Sequence, residues 1–429
     1  MVVKGYMRAN VPFVFDTEKT LTQIFANNAH KKNWESFQMQ GDFLLKHINI
    51  SFINNATCLL KKCNKNLQVP VKNFTKNTVS NCDIAISEVQ VYLFDTGIGF
   101  CSLHIPYDNV NEDTVSDICS ILYSSVTGTL NIFENGTSTY LDCIANEVLG
   151  ELNISACKLF GTANENALKR INMFSCVLLD SEKNDADCNC FNSYCYQLAN
   201  TYDNRNKNFD FNPQDLYYQH NYVRWGFSTR GCSAVANLTG NEFTDNFLRE
   251  RWFYSISTNY YYLYLMVLHE KFATHNFLNI ITDDPDMHHF KINQKMLIDF
   301  NSKYIFKIVS DEKFIQDIFL RFKEATNADD AYIELTEQLK KMFDHAEYNS
   351  DKEIENKNQS LNLISIIISI VCSLSVIFDT MSLFYSRGLS LGFDSTKNAL
   401  FTSGVILEIV LFIIVAISVI WVNKNKNKK

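Results

Sequence analysis

The stretch "LNLISIIISIVCSLSVIFDTMSLFY", residues 361–385, decides the fold that this sequence predicts. A second apolar run, "LFTSGVILEIVLFIIVAISVIWV", occupies residues 400–422. Each run reaches the length of about 20 residues that a helix needs to cross a bilayer. We therefore predict transmembrane helix 1 at 361–385, an external loop at 386–399 and transmembrane helix 2 at 400–422.

The flanks of these runs predict an orientation. The tail at 423–429, "NKNKNKK", is strongly basic, and basic segments stay on the cytoplasmic side. Two spans then place the N-terminal region on the same side, and that region has no apolar run long enough for a signal peptide. The predicted localisation is a bacterial plasma (inner) membrane, multi-pass in the lipid bilayer, with both termini cytoplasmic.

Composition narrows the remaining classes. The length of 429 residues favours two or three domains. The net charge of -8 argues against direct nucleic-acid binding, which usually needs a basic surface. Its 13 cysteines are odd in number and irregularly spaced, as expected for reduced cytosolic thiols. The alternative is a secreted, disulfide-bonded surface protein glycosylated at triplets such as those of Asn55 and Asn237, and the missing signal peptide argues against it.

Residues 1–235 have the mixed pattern of an α/β domain. "EVQVYLFDTGIGFCSLHIP" (88–106) predicts two strands around Gly97, and residues 111–128 predict an amphipathic helix. Further strands are predicted within "QVPVKNF" and "LNISACKLFG".

Residues 236–360 are predicted to form a helical region and stalk. The aromatic segment 242–280 fits a buried helix better than a third membrane span, because its apolar part is short and flanked by charges. Residues 308–360 predict one or two long helices, without a helix breaker between Asp344 and Leu361. An ordinary solvated helical hairpin is the alternative to a stalk.

This layout resembles the CorA family of divalent-cation channels. The resemblance implies an α+β cytosolic domain with long stalk helices, followed by two C-terminal transmembrane helices, in a homopentamer whose first span lines the pore. The family's Gly-Met-Asn motif is absent, since Ser382, Leu383 and Phe384 occupy its place, which puts a Mg²⁺-selective filter in doubt.

CorA-like proteins without that motif accompany type III CRISPR systems, and this chain resembles them in its enlarged N-terminal region. The resemblance implies an antiviral effector that is gated by a nucleotide second messenger, such as an adduct of S-adenosylmethionine and AMP (SAM-AMP).

One stripe of the first run carries the predicted pore. Residues at alternating steps of four and three share one helix face. They are Leu361, Ser365, Ile368, Cys372, Ser375, Asp379 and Ser382. A ring of Asp379 carboxylates would select cations, and Glu408 would belong to the pore vestibule. Alternatively, Asp379 pairs elsewhere in the membrane or lies near enough to its surface to reach water.

The segment "RWGFSTRGC" is the candidate nucleotide site of the N-terminal domain. Arg224, Trp225, Phe227 and Arg230 combine guanidinium groups with aromatic rings, which suits a phosphate and an adenine. The alternative is a set of surface ion pairs beside a buried tryptophan.

Two segments carry potential metal ligands. "CNCFNSYC" offers Cys188, Cys190 and Cys195 for zinc, although no second pair of ligands stands at zinc-site spacing. "TDDPDMHHF" offers a regulatory divalent-cation site or only a charged surface loop. Its candidate ligands are Asp283, Asp284, Asp286, His288 and His289.

Enzyme motifs such as GxxxxGK[ST], HExxH and GxSxG do not occur in the sequence, so catalysis is not predicted. Three hypotheses remain: a ligand-gated CorA-like channel, a constitutive Mg²⁺ or Co²⁺ transporter, and a membrane-anchored scaffold or enzyme.

Overall fold

A long strand, β1 (Val2–Val14), lies inside the sheet that organises this protein. It pairs antiparallel with β5 (Ile98–Val110) on one side and with β7 (Asn172–Leu179) on the other. Strands with neighbours on both sides and covered faces are mostly apolar, as "VVKGYMRANVPFV" is. The computed structural model describes residues 1–17, 34–39, 41, 43–73, 78–125, 148–152, 154, 158–159, 171–180, 188–204, 215–283, 287–386 and 410.

Around β1 the described strands form one mixed sheet. Their order is β2-β3-β4-β5-β1-β7-β10-β9-β8, and the short β6 (Lys158–Leu159) pairs with the end of β1. Of the described pairs, β7 with β10 is parallel and the others are antiparallel. The remaining strands are β2 (Glu35–Phe37), β3 (Thr57–Asn73), β4 (Thr78–Leu93), β8 (Leu216–His220), β9 (Val223–Phe227) and β10 (Gly231–Asn237).

The hairpin predicted around Gly97 is confirmed as the β4–β5 connection. Gly97 has a φ of 79°, a left-handed conformation that glycine adopts without steric cost. Its N–H donates to the Phe94 carbonyl at 3.1 Å. The predicted strand at "QVPVKNF" lies largely within β3, whereas most of "LNISACKLFG" falls outside the described residues.

Helices cover both faces of the sheet. Met7 and Ala9 of β1 share a buried core with Val115 of α2 (Glu112–Ser125) and Cys195 of α3 (Cys188–Ala199). The predicted helix at 111–128 is thus confirmed as α2 over its described part. The short α1 (Lys46–Ile48) continues as a π-helical turn, Asn49–Ile53.

A second helical layer follows β10 and faces the alternate residues of β1. It comprises α4 (Glu242–Phe247), α5 (Phe253–Ser255) and α6 (Tyr261–Asp283), with π-helical turns at Leu248–Trp252 and Ile256–Tyr260. Residues Leu263–Leu268 are fully buried, which confirms the prediction of a buried helix here. The layer is completed by α7 (Met287–Tyr304) and α8 (Lys313–Thr326).

Tyr261 ties this layer to the sheet by polar contacts. Its hydroxyl lies 2.6 Å from Asn10 Oδ1 and 2.8 Å from Ser102 Oγ, and all three residues are buried. The Arg8 guanidinium lies 4.2 Å from the Tyr261 ring centre. Alternate residues of β1 therefore serve two interfaces, one apolar with α2 and α3 and one polar with α6.

After α8 the chain forms α9 (Ala328–Ser386), a helix of 59 residues. At 1.5 Å per residue it is roughly 90 Å long. Its continuity confirms that nothing breaks the helix between Asp344 and Leu361. Residues 1–336 and residues 337–429 form two compact units, and the sheet belongs to the first.

The prediction of two C-terminal transmembrane helices is wrong. Among the residues that the structure describes, none of the helices is both long and apolar enough to cross a membrane. The first predicted span forms the last part of α9, where the isoleucines and leucines stand beside polar residues such as Asn362 and Asp379. The second predicted span lies outside the described residues except for Val410.

The same finding corrects the predictions that depended on membrane spans. The observed fold is a mixed sheet between helical layers with a long C-terminal helix, and the CorA-like two-span architecture is not present in the described residues. The predicted multi-pass plasma-membrane localisation is overturned with it.

Candidate functional site

A cleft of about 940 Å³ opens in the first unit between the end of α3, the β8–β9 hairpin and α8. Its volume falls within the range of about 300–1,000 Å³ that is usual for small-molecule sites. The lining residues are Tyr196, Asn200, Asp215, Tyr217, Phe227, Ser228, Thr229, Lys313, Asp317, Leu320, Arg321, Glu324, Ala325 and Asn327.

Helix α8 supplies the charged wall of the cleft. Lys313, Asp317, Arg321 and Glu324 follow one another at helical spacing and therefore share one face. The opposite face of α8, with Ile318, Phe319 and Phe322, is buried against the second helical layer and the sheet. Burial of that apolar face holds the charged face towards the cleft.

Tyr217 supplies an aromatic surface opposite this wall. Its hydroxyl donates to Asp317 Oδ2 at 3.4 Å, and its ring centre lies 6.0 Å from the Arg321 guanidinium. Partial burial, followed by the neighbouring Asp317 carboxylate, raises the pKa of Tyr217. The phenol therefore stays protonated and can donate a hydrogen bond at neutral pH.

The turn between β9 and β10 forms the rim of the cleft. Ser228 Oγ donates to the Ala199 carbonyl at 2.7 Å and accepts from the Arg230 N–H at 3.0 Å. The Arg230 guanidinium lies 5.3 Å from the Tyr123 ring centre and 5.6 Å from that of Tyr202. These contacts fasten the rim to the C-terminal ends of α2 and α3.

The cleft presents both signs of charge. Lys313 and Arg321 are cationic, while Asp215, Asp317 and Glu324 are acidic. A purely anionic ligand would meet repulsion from three carboxylates, and a purely cationic one would meet the two basic groups. A ligand that carries a positive and a negative group matches this arrangement best.

The residues of the predicted nucleotide site lie on two different faces of the sheet, because successive side chains of β9 alternate between its faces. Phe227 lines the cleft and packs against Phe322 with ring centres 5.6 Å apart. Trp225 is fully buried beneath the cleft. Arg224 points to the other face, where its Nε donates to Asn192 Oδ1 at 3.0 Å and its guanidinium stacks on Tyr218 at 4.4 Å. Arg230 stands at the rim.

The predicted metal ligands give no assembled centre in the described part of the chain. No group of three or more His, Cys, Asp or Glu residues there is arranged to hold an ion. Cys190 is exposed, whereas Cys195 is buried beside Ser233 Oγ at 3.3 Å, and burial raises the Cys195 pKa to about 12.

Several metal candidates fall outside what the structure describes. Asp284 and Asp286 lie in the gap between α6 and α7. Asp283, His288 and His289 lie on those helices, but their side chains are outside the described set, as is that of Cys188.

The residues of the predicted pore stripe lie along α9. Leu361 and Ile368 are 62% and 51% exposed in the single chain, and Ser365, Cys372 and Asp379 are exposed as well. Ser375 is partly buried. The side chain of Ser382 and the whole of Glu408 lie outside the described residues.

Sequence reasoning missed the α8 face of the cleft. The pattern of "SDEKFIQDIFLRFKEATN" predicts only part of one or two long stalk helices, or of a solvated helical hairpin. The available signal was the spacing of Lys313, Asp317, Arg321 and Glu324, which alternates basic and acidic groups along one face. Only the fold shows that this face is turned towards Tyr217 and Phe227.

Comparisons with known proteins do not assign this chain to a family. No protein-family model matches it, no curated protein matches it, and no solved structure matches it.

Proposed function

We propose that the first unit is a receptor for a small nucleotide that carries both a positive and a negative group. The observation that carries this proposal is the cleft itself, where aromatic side chains face a helix with alternating charges. Binding without catalysis is proposed. The ligand class is the one suggested by the resemblance to nucleotide-gated effectors, of which SAM-AMP is an example.

Different residues of the cleft match the purine ring, the phosphate and the cationic group of such a ligand. The ring of Tyr217 offers a surface on which a purine can stack, an interaction worth about 0.5–1.5 kcal/mol beyond simple burial, and the buried Phe227 adds an apolar contact beside it. Arg321 and Lys313 are placed to bind a phosphate through charge-assisted hydrogen bonds. Asp317 and Asp215 are placed to accept from a cationic amine or to lie beside a sulfonium.

Ion conduction is not part of this proposal, because the channel and the transporter hypotheses both required membrane-spanning helices. The antiviral role and the assembly into a homo-oligomer such as a pentamer stay predictions. A scaffold or an enzyme remains the alternative from another class.

Titration calorimetry on the full-length chain tests the proposal with three ligands: AMP, S-adenosylmethionine and SAM-AMP. We expect SAM-AMP to bind more tightly than either half, because it joins the phosphate of AMP to the sulfonium and amine of S-adenosylmethionine in one ligand. Loss of one charge-assisted contact costs about 1.5–3 kcal/mol, so Arg321→Ala should weaken binding by roughly 10–150-fold.

Arg249→Ala provides the matched control, since Arg249 is an exposed arginine that does not line the cleft. It should leave the affinity unchanged. Absence of binding by all three ligands, or equal affinity in Arg321→Ala and wild type, would exclude this cleft as the nucleotide site.

A further inference from the structure

A buried lysine joins three elements behind the cleft. Lys323 of α8 is 4% exposed, and its Nζ lies 2.9 Å from Glu270 Oε1 of α6 and 2.8 Å from Asp329 Oδ1 of α9. It also donates to the Phe306 carbonyl at 3.3 Å. A lysine ammonium has three protons to donate, so these three acceptors account for its full capacity.

The junction between α8 and α9 lies next to this lysine. Asn327 separates the two helices and has a left-handed conformation, with a φ of 56° and a ψ of 35°. Its N–H donates to the Glu324 carbonyl at 3.2 Å, and its own carbonyl accepts from the Ala331 N–H at 3.3 Å. One residue therefore ends α8 and begins α9.

The cleft reaches this same junction from the other side. Glu324, Ala325 and Asn327 line the cleft, whereas Lys323 and Thr326, between and beside them, are buried and face away from it. A ligand in contact with the last turn of α8 would therefore touch the residues that flank the Lys323 contacts.

We propose that occupancy of the cleft controls the first turns of α9 through the α8–α9 junction and the Lys323–Asp329 ion pair. The identity of the natural occupant rests on the proposed function. The coupling between the cleft and α9 depends only on the fold, through the α8–α9 junction and the ion pair. An occupant that supports the last turn of α8 restricts opening at Asn327, and the ion pair passes that restriction to α9. The long helix α9 is then the output element of the receptor.

Amide hydrogen exchange of the full-length chain tests the link at residues 329–336. One arm adds SAM-AMP, and a second arm fills the cleft without any ligand by Leu320→Trp. Leu320 lines the cleft and is 47% exposed, so a larger side chain has room there. We expect exchange at 329–336 to slow by about fivefold or more in both arms, at the lower end of usual allosteric coupling.

Matched substitutions separate the link from general stabilisation. Asp329→Asn should abolish the slowing, whereas Asp330→Asn should preserve it, because both carboxylates lie exposed in the first turn of α9 and Lys323 contacts Asp329. Phe243→Trp, at a residue that is 86% exposed away from the cleft, should not slow exchange.

The two proposals fail in different ways. If SAM-AMP does not bind but Leu320→Trp slows exchange at 329–336, the proposed ligand is wrong and the link stands. If Leu320→Trp leaves that exchange unchanged, or if its effect persists in Asp329→Asn, the link is overturned, whatever the ligand does.

Discussion

Replacing Lys323 by methionine should destabilise this protein more than any single surface change. Methionine keeps the approximate length of the side chain but removes the ammonium, which leaves the Glu270 carboxylate 1% exposed and without its ion-pair partner. Removal of one member of a buried pair costs about 3–5 kcal/mol, because the remaining charge has neither water nor counter-charge. The lost hydrogen bond to the Phe306 carbonyl belongs to the same cost.

The cost of Lys323→Met should depend on pH. Burial is the main cause that raises the Glu270 pKa to about 7, with Lys323 opposing it. Without the lysine that pKa rises further, so Glu270 becomes protonated over a wider range. We therefore expect Lys323→Met to cost less free energy of unfolding at pH 5 than at pH 8.

Urea unfolding of the full-length chain, followed by circular dichroism at pH 5 and pH 8, measures these differences. A double variant, Lys323→Met with Glu270→Met, replaces the pair by apolar groups and should recover about 2 kcal/mol or more of the loss at pH 8. The reasoning would be refuted by a single variant within about 1 kcal/mol of wild type at pH 8. A double variant as unstable as the sum of its two singles would refute it equally.

Three other substitutions probe separate parts of the fold. Gly226→Ala should lower the free energy of unfolding by about 1–3 kcal/mol in urea titrations, because its Cβ would lie 2.8 Å from the Cys195 carbonyl oxygen; an unchanged midpoint would contradict this close packing. Tyr261→Phe should cost about 1–3 kcal/mol by the same measurement, since it leaves buried Asn10 Oδ1 without its hydroxyl donor; a cost near zero would mean that another donor replaces it. For Glu270, the folded pKa of about 7 exceeds the ordinary glutamate pKa of 4.5 in an unfolded chain, so its contribution to stability is present below pH 4.5 and is lost as pH rises through 7. That loss is about 3 kcal/mol in wild type, at 1.36 kcal/mol per pKa unit, and Glu270→Gln should remove it from a series of urea titrations between pH 4 and 8.

Sequence patterns within short segments correctly predicted those turns and helices of the first unit whose formation depends on residues close together in the chain. The turn at Gly97, the acidic start of α2 and the buried aromatic helix around Leu263 follow from periodicity and turn chemistry, which are properties of short segments. The strand order was not predicted, because the partners of β1 come from distant parts of the chain and pair through backbone groups that every residue has.

The cleft was only partly predictable for a related reason. Phe227 and Arg230 are candidates from sequence alone because an aromatic ring and a guanidinium stand close together in the chain. Their neighbour Arg224 belongs to the opposite face, which strand alternation alone would have shown. Arg321 comes from a helix almost a hundred residues later, and no local pattern connects it with Tyr217.

The membrane prediction rested on the overall apolar content of two short segments, and content alone does not distinguish a membrane span from other helices. Residues 361–385 contain many isoleucines and leucines, and that content dominates a simple reading of hydropathy. The structure confirms that this segment is helical, as the last part of α9, whereas none of the described helices qualifies as a membrane span.

The interior position of β1 has a consequence for biosynthesis. Tyr6 lies opposite Pro106 on one neighbouring strand and opposite Cys176 on the other. Ribosomes add about 5–20 residues per second, so β1 must wait roughly 5–20 s for its first neighbour and about 9–34 s for its second. During that interval an apolar strand with two unpaired edges is open to other nascent chains. We therefore expect the yield of native protein to depend on elongation rate and on chaperones that bind extended apolar segments, and slower translation before residue 180 should lower it.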